Sequence, residues 1–288
     1  MFSFRKKVFH KKLLMKAALR KFLQERIRTK ITPALQFLLL INISVALFFY
    51  IFDIISGIDL HFYFSAYPTY SPHFHYYQLV TFMFVHSIDP LHIISNVLFL
   101  LVFSANVEKK LGFNSFIIAY FVCAWFGYIF INQAYSINKI QIEERIISTG
   151  ISPEKIPIND RHQVDDKYYL KLNASQRNAM KEYNFVTSKT NGASGALFGI
   201  IVIYLFLNLL NYRKVLFILF GFYTLYENYQ VLLESSTQIN GSCYAHLGGI
   251  LGGIIIVSIY LIIQLITKKQ VILIENKRNS TRIIHTFK

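Results

Sequence analysis

Long apolar runs constrain this chain more than any other feature of its sequence. Six runs of about 18 to 24 residues follow one another, and roughly 20 apolar residues in a helix cross the hydrocarbon core of a bilayer. Of the 288 residues, 54% are hydrophobic, which is more than a single soluble core of this size buries. The sequence therefore predicts an all-α integral membrane protein with six transmembrane helices. We number them helices 1 to 6, at residues 34–55, 90–107, 116–135, 193–210, 215–233 and 244–267.

The distribution of lysine and arginine predicts how these helices are oriented across the membrane. Of the 30 such residues, nine lie between Ser136 and Thr190, where seven acidic residues nearly balance them. The others are eleven in residues 1–32, two at 109–110, two at 213–214 and six after Thr267. Because cytoplasmic loops carry the excess of positive charge, both termini are predicted to lie in the cytoplasm. Helices 2, 4 and 6 then begin at the outer face.

The same pattern divides the chain into segments. Residues 1–32 form a basic amphipathic cytoplasmic segment that suits an anionic membrane surface, with a mitochondrial presequence as the alternative. Residues 33–267 form the six-helix domain, with an extracytoplasmic insertion at 136–190 that contains a predicted helix near 168–183. The insertion fits a lid, a partner-binding surface or a partly disordered segment. Residues 268–288 form a basic cytoplasmic tail, and nothing in the chain indicates a nucleic-acid-binding module.

Four polar residues in these apolar helices are the candidates for chemistry. Helix 2 carries His92 and Asn96, helix 4 carries Ser194 and helix 6 carries His246. Each lies in the first two turns of a helix that begins at the outer face, so all four are predicted at one depth. Intramembrane polar residues are rare and functional. Their coincidence at one depth favours a hydrolytic site over separate packing roles.

Glycines predict which helices pack together. Gly249 and Gly253 on helix 6 are four residues apart, a spacing that lets helix backbones approach closely. Helix 4 offers Gly195 and Gly199 with the same spacing. Close packing of these two helices would bring His246 within reach of Ser194.

The ordered pattern of these residues resembles the rhomboid intramembrane serine proteases. It consists of His92-xxx-Asn96, then Gly192-Ala-Ser-Gly195, then Ala245-His-xx-Gly249-xxx-Gly253. The resemblance implies a rhomboid-like bundle that cleaves transmembrane segments of membrane proteins in the bilayer, without cofactor or metal.

By position, the same resemblance implies the role of each site residue. Ser194 would be the nucleophile and His246 the general base of a dyad. His92 and Asn96, with the Ser194 backbone N–H, would form the oxyanion hole. Phe198 would stack on the histidine, and the motif glycines would support the site. His86 is not assigned a role, because the stretch from His86 to His92 is one residue longer than the family pattern.

Three alternative functions remain beside this interpretation. A non-proteolytic rhomboid-like protein that binds or escorts membrane clients is the first alternative, although such relatives typically lack the serine or the histidine. The others are a metal site and a transporter, suggested by outer-side histidines such as His73 and His75, but no HExxH motif accompanies them. Richness in Ile, Phe, Asn, Lys and Tyr favours a bacterial inner membrane over the mitochondrial inner membrane.

Overall fold

The described part of the chain is almost entirely helical. The computed structural model describes residues 31–87, 89–157, 164–209, 211, 215–234 and 241–286. The helices are α1 (Pro33–Ser56), α2 (Leu60–Phe64), α3 (Gln78–Thr81), α4 (Pro90–Leu111), α5 (Phe113–Ser148), α6 (Asp166–Leu170), α7 (Ala174–Val186), α8 (Ser194–Asn208), α9 (Val215–Glu234) and α10 (Gly241–Thr286). Within these ranges the β-type pairing is a single bridge between Ala66 and Thr190.

The predicted all-α membrane bundle is confirmed. Helices occupy all six predicted positions, as α1, α4, α5, α8, α9 and α10. Four of them, α1, α4, α5 and the Gly241–Lys268 part of α10, are long and apolar enough to cross a membrane. The predicted basic segment lies, except for its last two residues, outside the described ranges.

Helix α8 is the central element of the bundle. It has only 15 residues, and most of its side chains are buried, including Ile200, Ile201 and Tyr204. A helix enclosed by protein can be shorter than the bilayer is thick, because its ends contact other protein segments instead of lipid. This explains how a short helix stands where a full span was expected.

Glycines hold α10 against two neighbours. A methyl group added to Gly253 would lie 2.6 Å from the carbonyl oxygen of Gly199 on α8, so the backbones meet there as predicted. On the adjacent face, a methyl group on Gly252 would lie 2.9 Å from the Cα of Cys123 on α5. Close contact on two faces fixes the rotation of α10 and therefore the direction of its side chains.

A buried carboxylate joins α4 to α1. Glu108, near the end of α4, accepts hydrogen bonds of 2.9 Å from the backbone N–H groups of Ala34 and Leu35 and a further bond from the Thr32 hydroxyl. The first N–H groups of a helix lack partners within the helix and attract negative charge. Glu108 therefore caps the N-terminus of α1 from another helix.

The insertion is a folded lobe built on an extension of α5. Helix α5 runs to Ser148, so the predicted boundary at Tyr135 is 13 residues short. The extension persists because Ile142 and Ile146, four residues apart, are buried against α7, where Met180 and Val186 belong to the same small core. This core is separate from that of the membrane bundle.

The predicted helix near 168–183 is in fact two helices. Helix α6 ends at Leu170, and α7 begins at Ala174. Between them, the Asn173 side chain accepts from the backbone N–H of Gln176 at 2.9 Å, and the Gln176 side chain accepts from the N–H of Asn173 at 3.0 Å. This reciprocal capping box starts a new helix.

Candidate active site

Ser194 is the first residue of α8, and Gly192 sets the backbone that leads to it. Gly192 has φ +109°, a conformation that residues with a side chain rarely adopt. Its N–H donates to the carbonyl oxygen of Phe82 at 2.9 Å. Phe82 directly follows α3 and is buried, as are the next residues, Met83 and Phe84. Ser194 thus lies where α8 meets this segment.

One cavity of about 600 Å³ brings the four candidate residues together. Helix α4 contributes His92 and Asn96, α8 contributes Ser194 and α10 contributes His246. Helix α9 closes another side with Thr224 and Glu227. The remaining lining residues are Ser87, Asp89, Ser95, Phe99, Leu197, Phe198, Ile201, Ser242 and Cys243.

Phe198 holds the ring of His246. It lies one turn after Ser194 on α8, and its ring stacks on that of His246 with 3.9 Å between centroids and 9° between planes. The backbone supports this position, because a methyl group on Gly195 would lie 3.3 Å from the carbonyl oxygen of Ala245, next to His246. The close contact of α8 and α10 therefore brings the serine and the histidine to one cavity.

His92 and Asn96 converge on Gly192. A methyl group on Gly192 would lie 2.6 Å from Nε2 of His92 and 3.9 Å from Nδ2 of Asn96. Asn96 is only 3% exposed, and its Nδ2 has no hydrogen-bond partner among the described residues. A buried N–H group without an acceptor costs about 1–3 kcal/mol. Such a donor suits a ligand oxygen that enters the cavity.

Asp89 fixes the start of α4. It is the N-cap residue, and its carboxylate accepts from the N–H of Leu91 at 3.0 Å, with Pro90 at the first helical position. The backbone N–H of His92 donates to the Asp89 carbonyl at 3.1 Å. Because the cap sets the first turn, it also sets the position of His92.

His86 is a neighbour of the site that the sequence did not assign. Its ring meets that of His92 edge to face, with 5.3 Å between centroids, and is almost fully buried. Burial, and then the nearby His92, lower the pKa of His86 to about 4. His86 is therefore neutral near pH 7 and packs beside the site as an uncharged ring.

A polar chain connects this region to the end of the insertion. Lys189 pairs with Asp59 at 2.9 Å, Asp59 pairs with His61 at 3.0 Å, and Nε2 of His61 lies 2.6 Å from the His86 carbonyl oxygen. Burial opposes the charge of Asp59, but the hydrogen bond and the charge of Lys189 lower its pKa overall. No periodic pattern in the sequence links positions 59 and 189, so sequence reasoning missed this contact.

The outer-side histidines that suggested a metal site make aromatic contacts instead. His75 stacks on Tyr77 at 5.4 Å and 8°, and His73 packs between the rings of Phe62 and Tyr67. Among the described residues, no group of three or more His, Cys, Asp or Glu side chains could hold a metal ion.

Comparison with known families identifies the fold. The family model for the rhomboid domain matches residues 73–153 and 171–263, more than half of the chain. The chain belongs to the rhomboid family. Searches of the curated proteins and of the solved structures each found no match. The matched ranges include His92, Asn96, Ser194 and His246.

Membership fixes the general character of the protein. It is a multi-pass integral membrane protein of a family whose members are generally intramembrane serine proteases that act on transmembrane substrates. The gap in the match, residues 154–170, falls within the lobe on α5. The rest of the insertion, residues 136–153 and 171–190, lies within the matched ranges.

Proposed function

We propose that this rhomboid is an intramembrane endopeptidase that cleaves transmembrane segments with a dyad of Ser194 and His246. The observation that supports this proposal is the single cavity lined by Ser194, His246, His92 and Asn96. A nucleophile, a base and two donors at one cavity are the set that peptide hydrolysis requires.

In the acylation step, the Ser194 hydroxyl attacks the scissile carbonyl carbon as His246 takes the hydroxyl proton. The carbonyl oxygen becomes an oxyanion. When the tetrahedral intermediate collapses, the C–N bond breaks and His246 gives the proton to the leaving amine. Water then attacks the acyl-enzyme, His246 takes a proton from it, and the acid leaves as Ser194 regains its proton.

The oxyanion requires donors that are aimed before the reaction begins. We assign this role to Asn96 Nδ2, the His92 ring and the backbone N–H of Ser194. The N–H of Ser194 lies in the first turn of α8, where the helix dipole adds positive potential. One such donor is worth about 2.7–4 kcal/mol of transition-state stabilisation.

The substrate is a transmembrane segment whose helix opens locally. A helical peptide bond is hydrogen-bonded within its own helix and shielded from attack. The cavity offers polar groups that can bind the released backbone, among them Ser242 and Thr224. The composition of the chain supports a bacterial inner membrane as the site of action.

Cleavage of a model transmembrane substrate by the purified protein in liposomes tests the dyad. We expect Ser194→Ala and His246→Ala to abolish cleavage, and a fluorophosphonate probe to label the wild type but not Ser194→Ala. Ser258→Ala is the matched control, because this exposed hydroxyl donates to the Ile254 carbonyl of its own helix and lies outside the residues that line the cavity. EDTA should leave the rate unchanged. Wild-type cleavage by Ser194→Ala would refute the proposal, and a non-proteolytic client-binding role would predict no cleavage by any variant.

A further inference from the structure

Ser87 contacts one nitrogen of the His92 ring in two ways. Its hydroxyl oxygen lies 2.9 Å from Nδ1 of His92, and its backbone nitrogen lies 3.3 Å from the same Nδ1. The hydroxyl can donate or accept, but a backbone N–H can only donate. Nδ1 of His92 must therefore accept, so this nitrogen carries a lone pair and no hydrogen.

The position of the ring hydrogen follows. A neutral imidazole whose Nδ1 is bare carries its hydrogen on Nε2. Nε2 is the nitrogen that lies against Gly192, two residues before Ser194. The ring thus points its one N–H toward the start of α8.

We propose that Ser87 is a positioning residue that holds His92 in the Nε2–H tautomer, so that the ring donates to the oxyanion. The catalytic meaning of the tautomer rests on the proposed function, whereas the tautomer itself does not. Ser87 acts through His92 and takes no part in bond making.

Neighbouring residues reinforce this assignment. Asp89 is the carboxylate closest in sequence, and it would select the opposite tautomer if it faced Nδ1. One of its oxygens, Oδ1, accepts from the N–H of Leu91 at 3.0 Å as the helix cap, and the hydrogen-bond contacts of Nδ1 of His92 among the described residues come from Ser87. The ring of His86 packs edge to face on His92 and restricts rotation of the ring that would exchange the two nitrogens.

Nitrogen-15 NMR of the full-length protein labelled with [15N]histidine tests the tautomer directly, with the signal of His92 assigned by its loss in His92→Gln. We expect a bare Nδ1 and a protonated Nε2 in the wild type and in Ser87→Thr. Ser87→Ala loses the hydroxyl contact at 2.9 Å but keeps the backbone N–H donor at 3.3 Å, so Nε2–H should remain the main tautomer beside a minor Nδ1–H signal that the wild type lacks. Ser95→Ala is the matched control, because its hydroxyl bonds to the backbone carbonyl of His92 at 2.9 Å and should leave the ring tautomer unchanged. A protonated Nδ1 in the wild type would overturn the proposal.

Enzyme kinetics test whether the hold of Ser87 on His92 affects catalysis. We expect Ser87→Ala to lower kcat about two- to threefold with little change in KM, because His92 loses its shorter contact and is held less firmly, with a minor share in the other tautomer. Ser87→Thr should retain the wild-type kcat. In a His92→Ala background, Ser87→Ala should have no further effect, because its role passes through His92. Equal losses in both backgrounds would assign Ser87 a general structural role. Absence of Ser194-dependent cleavage would refute the proposed function alone and leave the NMR result standing.

Discussion

Replacement of Gly192 by alanine tests the position of His92 in the site, because it adds a single methyl group beside the ring. The added methyl group would lie 2.6 Å from Nε2 and 2.8 Å from Cε1 of His92. Ordinary van der Waals contact requires about 3.5 Å, so the ring must move by roughly 1 Å. A misplacement of about 1 Å at a catalytic group costs roughly 100-fold in rate. We therefore expect kcat of Gly192→Ala to fall about 100-fold.

The same substitution also strains the backbone, and a control separates the two effects. Alanine at φ +109° costs about 1–3 kcal/mol of stability. Gly150 has φ +83°, and a methyl group added there would meet no atom within 4 Å, so Gly150→Ala imposes strain without contact. We expect Gly150→Ala to lower thermal stability and to keep the wild-type kcat.

The assay is cleavage of a transmembrane model substrate in liposomes, with thermal unfolding measured in parallel. The reasoning would be refuted if Gly192→Ala cleaved at the wild-type rate. It would also be refuted if Gly150→Ala lost as much activity, because the loss would then follow strain and not contact with His92.

Three further predictions concern stability, measured by unfolding in detergent micelles. Glu108→Ala should destabilise the protein by about 3 kcal/mol, because the N–H groups that start α1 lose their acceptor. Glu108→Gln, which keeps one acceptor oxygen, should lose less. Gly253→Ala should cost about 1–3 kcal/mol, since its methyl group would meet the Gly199 carbonyl oxygen at 2.6 Å. In the folded protein the pKa of His86 is lowered to about 4. Between about pH 6.5 and 4, His86 therefore binds a proton in the unfolded chain but not in the folded one, so the free energy of unfolding falls as the pH falls. The loss from this residue by pH 5 is about 2 kcal/mol, and His86→Asn should remove it.

Each of the three stability predictions has an outcome that would contradict it. Glu108→Ala and Glu108→Gln with the wild-type midpoint would argue against the cap. Ile254→Ala, at the half-exposed neighbour of Gly253, is the packing control, and an equal loss there would argue against a specific contact. An unchanged pH dependence in His86→Asn would show that His86 does not carry that part of the slope.

Local sequence rules were sufficient for some elements of this fold. Helix 2 was predicted to begin at residue 90, and α4 begins at Pro90 with Asp89 as its cap. Gly249 and Gly253 predicted the contact of α10 with α8. Both succeed because a cap and a four-residue spacing act within one or two turns of a helix, whatever the rest of the chain does.

Other features escaped the same reasoning because they depend on partners far along the chain. Ile142 and Ile146 lengthen α5 only because α7 covers them. The contact of Gly252 with Cys123 depends on where α5 lies beside α10.

By itself, the sequence determined a helical membrane bundle and the candidate residues Ser194, His246, His92 and Asn96, since the bilayer imposes length and hydrophobicity on every span. Only the tertiary structure decided that these residues line one cavity and that Ser87 faces Nδ1 of His92. Hydrogen-bond direction and ring stacking require atoms at defined distances, and those distances are set by packing among helices that are distant in the chain.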